Sequence, residues 1–193
     1  MPYSKEHKAE TRSRILKSAQ NLFKKYGYKN VNIDQVMAHA GLTRGGFYAH
    51  FKSKKALVAA SLNGHDGVRF MTKLMADNSG TYEERVEKLL TGYLSKSHRD
   101  HPDSGCPVAA MGTSVVQIGG DSAVAYAKLL EGMVLGLKRD LLKNMANDKI
   151  FVLISHAIGS LNLARTVAHN PAMSEQILTS SQIALREFIL TNS

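Results

Sequence analysis

The chain has 193 residues, 44% of them hydrophobic. That is enough for one ordinary domain, or for a small head sharing its core with a larger body, and it excludes general disorder. No apolar run reaches the roughly 18 residues of a membrane span, and the charged start MPYSKEHKAETRSR lacks the apolar stretch of a secretory signal. A single cysteine leaves no internal disulfide framework and no Cys-rich zinc site, so a cytoplasmic protein without membrane attachment, metal or cofactor is expected. The net charge of +9 lies wholly within residues 1–55, where twelve Lys/Arg stand against three acids; the remainder carries thirteen of each sign. Charge so segregated is a footprint for a polyanion, although on charge alone a solubilising face or a membrane-attracted arm reads equally well.

In chain order the pattern is helical nearly throughout. Ile15, Leu16, Ala19, Leu22, Phe23 and Tyr26 fall on one face of a helix from Glu6 to Tyr26, with Gly27 closing it. Asn32 with Gln35 reads as a capping box, opening a helix of about eight residues that carries Ile33, Val36, Met37 and Ala40 and ends at Gly41. Thr43 precedes a further short helix, Arg44 to Phe51, and Ser53 precedes one running from Lys54 to about Ala76. After a loop at 77–80, Thr81 with Glu84 opens a helix to about Ser97. His101 to Gly105 is a break, and Cys106-Pro107 begins a helix that fades at Gly119-Gly120. Asp121 then opens a helix to about Met145, Asp148 one to His169, and Ser174 a last one to near Leu190.

Two short helices joined by Gly41-Leu42-Thr43 have the spacing of a helix-turn-helix, in which the second helix offers its N-terminal residues to the major groove. Phe47 and Phe51 point inward, leaving Arg44, Gly46, Tyr48 and His50 outside. Gly45 and Gly46 each cost roughly 1 kcal/mol of helix propensity against Ala, which suggests a backbone that comes close to a partner. Arg44 is the candidate for reading a guanine, with Thr43, Gly45 and Gly46 setting the approach. Tyr48, His50 and Lys54 are candidates for phosphate oxygens.

Thr11, Ile15, Ala19, Leu22-Phe23, Gly27-Tyr28, Val31, Ile33, Val36, Ala40-Gly41, Gly45, Phe47-Tyr48, His50-Phe51, Lys54 and Leu57 together resemble the DNA-binding signature of TetR/AcrR-type repressors over about residues 9–57. Asn32 departs from the Thr or Ser usual there; it serves as an equal N-cap but can alter a phosphate contact. The resemblance implies an all-α fold of about nine helices: a three-helix DNA-binding head, residues 1–52, and a helical body for effector binding and dimerisation, residues 53–193. It also implies a homodimer on an inverted-repeat, double-stranded DNA operator, released by a small-molecule or electrophile effector. Residues 159–165 with 170–178 resemble the family's dimer-forming helix pair, and Gly159, Ser160, Leu163, Ile183 and Ala184 are the candidate interface residues.

By the same resemblance the middle helices enclose a pocket, for which Phe70, Leu74, Tyr93, Met111, Tyr126 and Met133 are candidate linings, with ordinary core packing the competing role. Cys106, at a helix N-terminus with His98, Arg99 and His101 upstream, reads either as a packing residue or as a reactive thiol. Two other functions fit parts of the sequence. A Cys/His hydrolase built on Cys106 lacks an orienting acid and leaves the basic head unexplained; a sequence-independent nucleoid protein accounts for the charge but for no effector pocket. Repressor activity, and no enzyme activity, is therefore the expectation.

Overall fold

A computed structural model describes residues 5–63, 74–75 and 79–193. Among these residues there are nine α-helices and one 3-10 helix and no strand. The helices are α1 (Lys5–Asn30), α2 (Ile33–His39), the 3-10 helix η1 (Arg44–Ala49), α3 (Lys54–Leu62), α4 (Tyr82–Tyr93), α5 (Lys96–Asp100), α6 (Pro107–Ile118), α7 (Asp121–Asp140), α8 (Asn147–Thr166) and α9 (Pro171–Asn192). Phe70, and most of the expected extension of α3 to Ala76, lie outside the described residues.

Helix α1 buries Ile15, Ala19 and Phe23, a 4-4 spacing that keeps one stripe inward. It is interrupted as expected at Gly27, whose φ of 77° suits glycine, but the chain then adds a further turn to Asn30. Helix α3 packs on α1 and α7; α6 packs on α1, α7 and α8; α8 pairs with α9, which also rests on α4. One apolar core therefore runs from Ile15 in the head to Ile189 in the last helix.

Several boundaries differ from those expected, at α5 and α9 through a capping side chain. The helix opened by Thr81 stops at Tyr93, since the Ser95 side chain accepts from the His98 N–H at 3.0 Å and starts α5 afresh. Gly120, with φ 54°, is the N-cap of α7 and Asp121 its first residue, and α7 closes at Asp140 rather than near Met145. Helix α8 opens at Asn147, one residue before Asp148, and ends at Thr166. Asn170, not Ser174, caps α9 by accepting from the Met173 N–H at 3.2 Å; Ser174 is buried and donates to the Ala164 carbonyl at 2.8 Å, tying α9 to α8.

His98 holds the centre of the body. Its Nδ1 lies 2.6 Å from the Tyr93 carbonyl and its Nε2 3.0 Å from the Cys106 backbone nitrogen. The second contact needs a bare Nε2, so the ring is neutral with its proton on Nδ1. A Cβ on Gly105 would collide with this ring, which accounts for the glycine. Burial pulls the His98 pKa down from 6.5 to about 4. The folded state thus resists a proton that the unfolded chain takes up near pH 6.5. Stability supplied by neutral His98 is whole above that pH and is lost progressively towards pH 4, by up to about 3 kcal/mol. Denaturant melts between pH 7.5 and 4 should show this fall, and His98→Gln should flatten it.

Candidate nucleic-acid interface

Helix α2 starts on a reciprocal capping box: the Gln35 N–H donates to Asn32 Oδ1 at 2.8 Å, and the Asn32 N–H donates to Gln35 Oε1 at 2.8 Å. At its far end Gly41, with φ 67°, lets the Gly41 and Leu42 N–H groups return to the carbonyls of Ala38 and Met37 at 2.9 Å each. Arg14 of α1 donates to the Ala40 carbonyl at 2.7 Å and completes that terminus. The turn between α2 and η1 is thereby fixed from both sides.

The second helix is a 3-10 helix, not the α-helix expected from Arg44 to Phe51. Thr43 occupies its N-cap position but makes no capping bond with its side chain. Phe47 is wholly buried and Phe51 nearly so, their rings 5.9 Å apart, with the Arg12 guanidinium 4.8 Å above Phe51. These anchors turn Thr43, Arg44, Gly45, Gly46 and Tyr48 outward. Tyr48 is 63% exposed, its ring braced edge-on against Phe47 at 5.2 Å. A Cβ on Gly45 would meet nothing within 4 Å, and one on Gly46 only the Met37 Cε at an ordinary 3.7 Å. Neither has a positive φ. The protein's own packing gives no reason for either glycine.

Arg44 does not extend freely. Its Nη1 lies 2.8 Å from Asp34 Oδ2 on α2, with both side chains more than half exposed. An exposed pair of this kind contributes only about 0–1 kcal/mol to stability, so its significance is positional. Asp34 lies in the first turn of α2, where its charge also suits the helix dipole. The turn at Gly41 brings it, ten positions before Arg44, to the same edge.

His50 is half-buried rather than turned fully outward, and its Nδ1 has no hydrogen-bond partner. Burial, then the charges of Lys8 and Arg12, lower its pKa. Lys54 opens α3 with its Nζ 4.0 Å over the Tyr28 ring, and burial lowers its pKa. Asn32 Oδ1 is committed to the capping box. A groove of about 450 Å³ separates His7, Lys8 and Thr11 of α1 from Thr43, Gly46 and His50. The structure therefore gathers Thr43–Gly46, Tyr48 and His50 at one edge, and sequence reasoning missed Lys8, Arg14 and Asp34 beside them.

The body residues fall differently. Tyr93, Met111 and Met133 are closed into the core rather than lining open space, because the helices pack tightly around them. Leu74 is half-buried, and Tyr126, also half-buried, borders an open cleft with its hydroxyl donating to the Val108 carbonyl at 2.7 Å. Cys106 is the N-cap of α6 with Pro107 at the first position, as expected. Its thiol is buried, and burial pushes its pKa up against the lowering contacts of the Ala109 and Val108 backbone and Tyr93, which favours the packing role of the two that the sequence leaves open. His98 supplies no positive field either, being neutral.

Gly159, Leu163, Ile183 and Ala184 are exposed on α8 and α9. Ser160 is not: it is buried, donates to the His156 carbonyl and accepts from the Ser181 hydroxyl, both at 2.8 Å, binding the two helices of one chain together. Among the described residues no three His, Cys, Asp or Glu side chains converge as metal ligands, and no helix is long and apolar enough to cross a membrane.

A braced turn presenting an exposed, glycine-bearing helix, a tethered arginine and a basic rim defines a helix-turn-helix DNA-binding transcriptional regulator. Residues 15–61 match the family model described as bacterial regulatory proteins, tetR family. The HTH-type transcriptional repressor NemR of Escherichia coli is 24% identical over 140 residues, covering 72% of this chain and 70% of NemR. The HTH-type transcriptional regulator YerO of Bacillus subtilis is 32% identical over 96 residues, covering 49% of this chain but only 33% of YerO. The crystal structure of reduced E. coli NemR superposes with a TM-score of 0.75 at 20% identity, over 92% of this chain and 96% of the other, which establishes a common fold. The tetR-family match thus covers the head, residues 15–61, and over the rest of the chain the likeness to these regulators is one of fold.

The capping box gives a direct stability test. Asn32→Ala removes one bond of the box and the partner geometry of the other. It should cost about 1 kcal/mol, read as a lower urea midpoint at unchanged slope.

Proposed function

We propose that this protein is a repressor that binds an inverted-repeat operator as a homodimer through a head of residues 1–52. On this reading a small-molecule effector in the body, residues 53–193, causes release. It works in the cytoplasm and needs no catalytic activity. The observation that carries the reading is the tethered Arg44: Asp34 holds its Nη1 at the open edge of η1, beside two glycines that the fold itself does not require. A guanidinium so fixed is pre-organised for a guanine O6/N7 pair. A sequence-independent binder would gain nothing from restraining it. Tyr48, His50 and Lys54, with Thr43 and the backbone at Gly45–Gly46, are the phosphate and approach contacts in this reading; Asn32 contributes through the cap.

Electrophoretic titration and binding-site selection separate the two roles. Arg44→Ala should relax preference at one base position per half-site, a loss of about 1–3 kcal/mol of discrimination. Lys54→Ala should weaken all sequences alike and lower the salt slope by about 1. An unchanged selected sequence for Arg44→Ala would remove the readout role.

For dimerisation, Leu163 and Ile183 are 60% and 64% exposed, with Gly159 and Ala184 beside them. Small residues allow close helix approach, and the exposed aliphatics provide area to bury. A two-fold pairing here sets the heads for half-sites about 34–36 Å apart. Leu163→Glu with Ile183→Glu should yield a helical monomer in sedimentation and weaken operator binding more than it weakens contact with a single half-site. A double variant that remains dimeric rules this face out.

A further inference from the structure

Between head and body lies a second, larger cleft, about 740 Å³ in volume, within the range of small-molecule sites. One wall is Lys24 and Lys25 of α1; another is α8, with Asn162 and Arg165. Val108, Ala109 and Ile158 give it an apolar floor, and Tyr126 borders it. Its lining holds four cationic side chains, Lys24, Lys25, Arg99 and Arg165, and one acid, Asp100.

That acid is already committed. Arg99 forks onto Asp100 at 2.6 and 2.9 Å, so their charges cancel. Arg165 differs. Its Nη2 donates to the His98 carbonyl at 2.7 Å, its Nε to the Arg99 carbonyl at 3.2 Å and its Nη1 to Asn162 Oδ1 at 3.3 Å. All three acceptors are neutral. The guanidinium is half-buried, and burial lowers its pKa. A partly desolvated cation resting on neutral acceptors is one that an incoming anion stabilises. Lys25 is exposed on the facing wall, and the apolar floor lies between.

We infer that this head–body cleft binds a small organic acid, its carboxylate between Arg165 and Lys25 and its apolar body over Val108, Ala109 and Ile158. Such an occupant touches α1, α6 and α8 at once. This deepens the effector reading above and rests on it only for the consequence, not for the binding itself.

The test uses the full chain. Isothermal titration with benzoate and with octanoate, each compared with its primary amide, should show saturable binding of at least one acid, roughly tenfold tighter than the amide. Lys25→Gln, a surface change, and Arg165→Gln should each weaken that acid several-fold while leaving amide binding unchanged. Circular dichroism checks the fold of the Arg165 variant; if it does not fold, Lys25→Gln alone decides. The inference is overturned if neither acid binds more tightly than its amide, or if Lys25→Gln leaves the affinity as it was. Fluorescence anisotropy on a selected operator is the second arm. Acid binding that is sensitive to Lys25 but does not shift operator affinity upholds the site and removes the effector reading instead.

Discussion

The packing of α1 is the constraint on which the rest depends. Ile15, Ala19 and Phe23 are fully buried, and the helix they belong to touches α2, α3 and α6. Ile15 and Phe23 each contribute roughly 1.5–3 kcal/mol on leaving water, and the Ala19 methyl less. The head cannot close its core without α1, and α1 is also a wall of the body. Polar contacts then fix the angle. The Tyr28 N–H donates to Ser114 Oγ of α6 at 3.2 Å just after the Gly27 bend, and Lys24 donates to the Gly105 carbonyl at 3.3 Å. A reading edge mounted this way has no orientation of its own; it inherits that of α6.

The positive charge of the first 55 residues is likewise more ordered than a basic patch. Arg14 completes the end of α2, Arg12 lies on Phe51, Lys54 lies on Tyr28 and Arg44 is held by Asp34. A long flexible cation loses side-chain entropy when it binds DNA. These four have lost part of it already, and Arg12, Lys54 and Arg44 have done so in contacts weak enough to exchange for phosphate or base. Arg14 differs from the others: its donor goes to a carbonyl that a helix terminus needs satisfied.

How much was legible follows from the range of each interaction. Asn32 with Gln35, Thr81 with Glu84, Ser53 and Gly41 act within one helical turn, and sequence places them correctly. Asp34–Arg44 spans a turn whose shape must be known first. Ser160 and Ser174 look like surface or capping residues until α8 and α9 are packed, when both hydroxyls turn inward to bridge them. Cys106 shows the same limit in electrostatics. Its helix-terminal position is readable and fits a reactive thiol or a packing residue, and only the folded chain shows the thiol to be buried.

Arg165 joins these threads. It satisfies carbonyls at the end of α5, where His98 in turn receives the N–H that begins α6. Helix α6 carries Ser114, which holds the bend of α1. On the outer strip of α8, three, two and six positions before Arg165, are Asn162 on the cleft and the exposed Leu163 and Gly159. The strip proposed for pairing, the cleft and the head are thus connected through α8, α5, α6 and α1 by hydrogen bonds between side chains and backbone. Displacing Arg165 would free two α5 carbonyls in a half-buried setting, each costing about 1–3 kcal/mol if left unpaired. On the proposed reading, an organic acid loosens this connection by offering Arg165 a better acceptor than a neutral carbonyl.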